Sequence, residues 1–180
     1  PLFSKKPILG VLNVDEEDLK NANEIEKKYA IELGLEDQAR LAEDGESRRV
    51  VAICAKVEAE LADLSNEEQK EYLEALGTRQ SGLERLIKKA FATLGLITFL
   101  TAGEKEVRAW TLRAGTDALR ASGTIHTDFM KHFIKADVVD FEDFISNSGW
   151  KACRELGKVR SEGRDYIMQD GDVVEFKIGS

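Results

Sequence analysis

The sequence predicts an α/β fold in the first half of the chain and an α+β roll in the second, and three observations predict it. Two short apolar runs flank a helical pattern near the N-terminus, a strongly amphipathic stretch ends at Gly95, and from Ile97 the rhythm turns to short β-like segments.

Each element follows from its residues. Pro7-Ile8-Leu9-Gly10-Val11-Leu12 is a continuous apolar run that suits a strand buried on both faces of a parallel sheet, ending at Asn13. Polar residues Asp15 to Asp18 interrupt it, and a helix is expected from about Asn23, with Ile25, Tyr29 and Leu33 as its apolar stripe and Gly34 as its stop. Val50 to Ala55 reads as a second buried strand. Three helical pieces follow Lys56, two of them opened by capping boxes, Ser65 to Glu68 and Ser81 to Glu84. In the last, Leu83, Leu86, Ile87, Ala90, Phe91 and Leu94 form an apolar stripe expected to pack into a core.

Beyond Gly95, Ile97 to Thr101 and Val107 to Leu112 read as a hairpin joined through Ala102-Gly103-Glu104-Lys105. A helix capped by Thr127 is expected to carry Phe129, Met130, Phe133 and Ile134 on one face, followed by a short segment at Ala136 to Val139 and helical patterns near Phe141 to Ile145 and Trp150 to Leu156. Asp170-Gly171 favours a tight turn before a final strand, Val173 to Ile178.

Composition narrows the function classes. At 180 residues, with 42% hydrophobic and 33% charged residues and 2 prolines, the chain can bury a core as one large domain or two small ones. Cys54 and Cys153 stand apart in no ligand pattern, so reduced thiols are expected rather than a disulfide or a zinc site. No apolar run reaches the roughly 18 residues of a membrane span, and Pro1-Leu2-Phe3-Ser4-Lys5-Lys6 lacks signal-peptide order, which predicts a cytoplasmic protein with no membrane partner. The missing initiator methionine and the early strand point to residues upstream. A formal net charge of −8 disfavours DNA and charge-driven nucleic-acid binding in general. The first 96 residues carry 14 basic and 20 acidic groups and the rest 12 and 14, so any RNA contact is expected in the second half.

Two strand tips carry the chemistry. Asn13-Val14-Asp15-Glu16 lies at a strand's carboxyl end, where open α/β sheets hold ligands, and an Asn amide offers a donor and an acceptor to a purine edge. A plain surface turn is the alternative, since Asn and Asp are turn formers. Cys54-Ala55-Lys56 ends the second strand, where backbone donors and the Lys stem border the same base or simply form a solvated turn. His126 and His132, six apart, are out of register for a shared helical face and no metal site is expected; His126 reads as a helix entry and His132 as a surface side chain. The carboxylates from Glu58 to Glu74 read as solvated helix faces. Arg108, Arg113 and Arg120, and Lys151, Arg154, Lys158, Arg160 and Arg164, are interspersed with Glu155, Glu162 and Asp165 as on an ordinary surface, and Trp110 and Trp150 read as core.

Asn-x-x-Glu after one strand, followed about forty residues later by Cys-Ala-Lys after the next, resembles the last two nucleotide motifs of the YchF and Obg-like ATPases of the GTPase superfamily. Longer strings resemble the same family in order and spacing: Glu58-Ala59-Glu60-Leu61-Ala62-Asp63-Leu64, Ser81-Gly82-Leu83, Leu96 to Thr111, Ile125-His126-Thr127-Asp128-Phe129, and Tyr166 to Asp172. The resemblance implies that residues 1 to 95 are the C-terminal part of a P-loop-type nucleotide-binding domain and 96 to 180 an α+β, ubiquitin-like β-grasp domain of the TGS type. It implies nucleotide binding by Asn13, Val14, Glu16, Cys54, Ala55 and Lys56, with ATP preferred over GTP because Val14 and Glu16 replace the Lys and Asp of the usual guanine motif. It further implies magnesium-dependent ATP hydrolysis and a ribosome or ribosomal RNA partner for the intact protein. The chain contains no Gly-x-x-x-x-Gly-Lys-Ser/Thr, so the phosphate loop and magnesium ligand are expected upstream, no catalytic residue is expected here, and the chain alone is expected to be inactive. The rival expectation is a non-catalytic RNA- or protein-binding module built around the TGS domain.

Overall fold

Val50, Val51 and Ala52 have no exposure, so β2 (Val50–Ile53) is the buried strand of a parallel pair with β1 (Gly10–Asn13), in register Gly10↔Val50 to Asn13↔Ile53. The computed structural model describes residues 6–36, 49–103 and 106–179; Glu104 and Lys105 of the expected connection lie outside them. The first strand is shorter than expected and is not buried on both faces, since Val11 is 47% exposed. Ala55, read as strand, opens a helix.

A 3-10 turn over Glu16–Asn21 leads into α1 (Ala22–Leu33), which stops at Gly34 in the left-handed region, φ 64°, where its N–H closes the last turn onto the Ala30 and Ile31 carbonyls. The expected stripe of this helix is out of phase. Ala22, Glu26 and Ala30 are buried, while Leu33 is 56% exposed. Helices α2 (Ala55–Ala62) and α3 (Asn66–Ala75) share a small core of Cys54, Val57, Leu61 and Leu73. Both expected capping boxes form: Ser65 Oγ accepts the Glu68 N–H that opens α3, and Ser81 Oγ accepts the Glu84 N–H at 3.1 Å as α4 (Gly82–Leu94) begins. The apolar stripe of α4 is not a buried core face. Leu83, Ile87 and Leu94 are 54%, 50% and 52% exposed, and this helix turns Arg85 and Lys89 toward β2 instead.

Contacts divide the chain into two units, Pro1–Leu94 and Gly95–Ser180. In the second, β3 (Leu96–Ala102) and β4 (Val107–Arg113) form an antiparallel hairpin, closed by Gly103 N–H to the Glu106 carbonyl at 2.9 Å. Helices α5 (Ala118–Ile125) and α6 (Thr127–His132) lead to β5 (Phe133–Asp140), then α7 (Phe141–Ser146), α8 (Trp150–Glu155), β6 (Arg160–Glu162) and β7 (Asp172–Ile178). The sheet order is β4-β3-β7-β5-β6, with β3 and β7 parallel and the other neighbours antiparallel, which is the mixed order of a ubiquitin-like β-grasp. Phe99, Phe133, Val138, Met168 and Val174 fill its core against α5.

The principal helix of this unit, α5, departs from expectation. Asp117 caps it by accepting the Arg120 N–H at 2.8 Å, and Ala118, Ala121 and Ser122 are small enough to lie flush on the sheet. Phe133 and Ile134, expected on a helix, open β5. His126, not Thr127, caps α6 by accepting the Asp128 N–H on Nδ1 at 3.2 Å.

Candidate functional site

Parallel pairing of β1 with β2 brings the two strand tips to one sheet edge. Val14 N–H extends the ladder to the Ile53 carbonyl at 2.8 Å, and Asn13 Oδ1 accepts the Ala55 N–H at 3.1 Å. A backbone N–H only donates, so this bond fixes the amide oxygen toward Ala55 and leaves the amide NH2 as the end not engaged there. An open cavity of about 560 Å³ is lined by Asn13, Val14, Asp15, Glu16, Glu17, Cys54 and Lys56. Five of the six residues expected from sequence line it, and Ala55 joins through the Asn13 bond.

Lys56 Nζ lies 3.4 Å from Glu16 and 3.9 Å from Glu60. The hydrogen bond that Lys56 donates to Glu16, then the charges of Glu16 and Glu60, raise the Lys56 pKa above its ordinary value. Glu60 also accepts from the Tyr72 hydroxyl, and that bond pushes the phenol up to about 12. Three carboxylates and one cation give the rim a negative balance. It accepts hydrogen bonds from an amino group readily and disfavours phosphate. Among the described residues no cluster of three or more His, Cys, Asp or Glu side chains could hold a metal ion.

Periodicity missed the supports of this edge. Glu26 has no exposure, accepts the Ala52 N–H at 2.8 Å, and pairs with Arg85 and, at 2.7 Å, with Lys89. Arg85 and Lys89 also donate to the Ala52 and Val50 carbonyls, so α1, β2 and α4 meet at one buried carboxylate. Glu58 accepts the Gly82 and Leu83 N–H groups at 2.7 and 3.3 Å, tying α2 to the start of α4. A Cβ at Gly82 would stand 2.9 Å from Ile53 Cβ, so only glycine permits this approach. The carboxylates from Glu58 onward are therefore not merely solvated faces: Glu58 caps, Glu60 bridges Lys56 and Tyr72, and Glu68 closes a capping box.

In the second unit half of the eight expected surface cations are ion-paired among the described residues: Arg120 with Asp117 at 3.5 Å, Arg154 with Glu175 at 2.5 Å, Lys158 with Asp143 at 3.4 Å, and Arg160 with Asp140 at 3.2 Å. Arg160 also reaches Asp172, which has 1% exposure and binds the Tyr166 hydroxyl at 3.0 Å. His132 is exposed, as expected. The tryptophans are half-buried rather than core. Trp110 stacks on Phe99 and carries Arg108 4.1 Å from its ring centre; Trp150 meets Phe144 edge-on and has Arg154 at 5.4 Å. Both line an open cleft of about 950 Å³, for which the interspersed charges gave no signal.

The parallel strand pair and the β-grasp sheet define the class as a mixed α/β protein, and similarity to known proteins extends over nearly the whole chain. A family model described as YchF-GTPase_C, protein of unknown function (DUF933), matches residues 96–179. The chain is 43% identical over 178 residues to the ribosome-binding ATPase YchF of Bacillus subtilis, covering 98% of this chain and 46% of that protein. It is 40% identical over 179 residues to Obg-like ATPase 1 of Rattus norvegicus, covering 99% of this chain and 43% of that protein. The structure of the Schizosaccharomyces pombe YchF GTPase is similar with a TM-score of 0.70 at 32% identity, over 96% of this chain and 43% of that one. The chain belongs to the YchF and Obg-like ATPase family, and it spans just under half the length of the curated relatives it matches.

Proposed function

We propose that this chain is the C-terminal part of a ribosome-associated ATPase, with residues 1 to 95 completing its nucleotide-binding domain and 96 to 180 forming a TGS domain. In this reading Asn13, Val14, Glu16, Cys54, Ala55 and Lys56 border the adenine base of ATP. The observation that carries it is the Asn13–Ala55 hydrogen bond, which joins the two expected base-contact segments beside one cavity. In this reading ATP is preferred over GTP. The carboxylates of Asp15, Glu16 and Glu17 can accept from the adenine amino group, but guanine's ring N–H and amino group are donors too, so the preference rests on Val14 and Glu16 standing where the guanine motif has Lys and Asp. The relatives' names divide on this point, ATPase for the curated proteins and GTPase for the solved structure, and the proposal follows the former.

The phosphate-binding loop and the magnesium ligands belong, in this proposal, to residues outside the 180 given, and the chain alone is inactive. The intact protein is cytoplasmic, hydrolyses ATP with magnesium and couples nucleotide state to ribosome binding. The test is direct. A longer chain that includes a Gly-Lys-Ser/Thr loop is expected to show magnesium-dependent ATPase activity, and in it Asn13→Ala is expected to weaken adenine nucleotide binding by about 1–3 kcal/mol in calorimetry. Silence from a folded longer chain removes the ATPase reading, and unchanged affinity removes Asn13 from the base site.

The rival, a non-catalytic binding module, draws on one observation, the aromatic and basic cleft of the second unit. It predicts partner binding that nucleotide does not alter.

A further inference from the structure

We propose that β4 is a docking edge, on which an extended acidic segment of a partner protein adds a further strand to the five-stranded sheet of the second unit. The proposal is independent of the nucleotide reading.

β4 ends the sheet order, and its outer edge has no neighbouring strand among the described residues along seven positions. The Gly103 N–H bond to the Glu106 carbonyl and the Ala114 N–H bond to the Gly95 carbonyl fix the phase of the ladder. Arg108, Trp110 and Leu112 therefore turn their backbone groups toward β3, and Val107, Ala109, Thr111 and Arg113 turn theirs outward. The Arg113 carbonyl accepts from Thr116; the other outward groups have no partner among the described residues. All four residues are exposed, Val107 to 70%. Such an edge is a template for another strand unless something blocks it, and no proline or register shift interrupts β4.

Charge decides the occupant. Arg108 and Arg113 make no ion pair among the described residues, and they stand five positions apart on opposite faces of the strand. Arg108 is held over the Trp110 ring, 4.1 Å from its centre, but a guanidinium donates in its own plane, so stacking does not consume its N–H groups. A guest antiparallel to β4 sets one residue opposite each arginine, and carboxylates five apart answer both. Glu106 disfavours a third carboxylate two places further on and suits a lysine there. Opposite Trp110 the guest borders the open cleft beside Ile125 and Phe129, where an apolar side chain fits. A second copy lacks this pattern. Matching every outward group of two copies sets Val107 against Arg113 and Arg108 against Leu112, which answers neither cation.

The test titrates the full 180-residue chain into the fluorescein-labelled, amidated peptide Glu-Thr-Val-Ile-Thr-Glu-Val-Lys. Anisotropy is expected to rise, and amide exchange at Val107, Ala109 and Thr111 to slow at least about fivefold at saturation. Methylating the backbone nitrogens of the third and fifth peptide residues is expected to weaken binding at least about tenfold. Arg108→Glu combined with Arg113→Glu is expected to lower affinity about tenfold, and a peptide with lysine in place of both glutamates to recover it on that variant. The recovery separates a lost contact from a lost fold. No rise in anisotropy, or binding without slowed exchange at those three amides, overturns the edge. Equal affinity of the natural chain for the lysine peptide overturns the acidic assignment. Slowed exchange that grows with protein concentration in the absence of peptide, with a dimer in sedimentation equilibrium, makes the occupant a second copy and overturns it as well. None of these readouts involves nucleotide, so ATP hydrolysis by a longer chain succeeds or fails separately.

Discussion

At the centre of the first unit a carboxylate with no exposure, Glu26, answers two cations and a backbone N–H; at the centre of the second, Phe99, equally buried, packs on Trp110 and Phe176. Burying a charge costs several kcal/mol of hydration that its partners offset only when the geometry is well satisfied, whereas aromatic burial is favourable wherever shape allows. The first unit therefore gains position more than stability. Its ionic centre fixes the end of β2, two residues before Cys54, while Val11, Leu83, Ile87 and Leu94 keep about half their surface in water. The second unit gains stability, with five strands closed over a continuous apolar core.

Substitutions at the two centres are the strongest way to break that contrast. Phe99→Ala and Glu26→Ala are each expected to cost about 3–5 kcal/mol in urea unfolding, the first followed by indole emission and the second by far-ultraviolet circular dichroism. The contrast lies in the repair. Replacing Glu26, Arg85 and Lys89 together by Leu, Met and Met is expected to be neutral or stabilising by about 1–4 kcal/mol, because hydration is no longer lost. A triple variant as unstable as Glu26→Ala would show that the ionic centre stabilises in its own right.

A smaller effect is expected at Gly82, where an added Cβ meets Ile53 Cβ at 2.9 Å and Glu58 Oε1 at 2.9 Å. Gly82→Ala should cost about 1–3 kcal/mol as α4 moves off β2, measured by the same urea unfolding. A loss under about 0.5 kcal/mol would mean that the helix start shifts freely.

The smallest is a pH slope in the second unit. Burial, ahead of the opposing hydrogen bonds from Gln169 and Tyr166, raises the Asp172 carboxyl above its ordinary 3.8. The folded chain then holds that proton to higher pH than the unfolded chain does. Its stabilising contribution is complete below pH 3.8 and is lost as pH rises through the raised folded value. Asp172→Asn cannot ionise, so the stability of the natural chain minus that of the variant should fall as pH climbs from 3.8; a difference that rises would reverse the assignment.

What the sequence made legible follows how local its cause is. Capping boxes at Ser65 and Ser81 were readable because both partners sit within one turn, and the β3–β4 hairpin because short β-rich runs flank one turn. The strand tips at Asn13 and Cys54-Ala55-Lys56 were readable because consecutive parallel strands end on the same edge. Glu26 was not, because its partners stand 59 and 63 residues away and a carboxylate one position off an apolar stripe looks like solvent face. Helix α5 was hidden by its own fitness for close packing: Ala118, Ala121, Ser122 and Gly123 carry too little apolar surface to mark a period. The cleft of Trp110 and Trp150 was hidden because residues 40 apart in sequence meet only through the sheet.

The Asn13–Ala55 bond has a kinetic side. Two segments that arrive already latched to each other have little freedom left to surrender, so a ligand meeting this edge adds its contacts to a rigid lip instead of gathering loose chain around itself. For the nucleotide proposed above, whose phosphates are anionic, the rim carboxylates oppose approach to such a lip, and dissociation is set by how many of those few contacts must break at once.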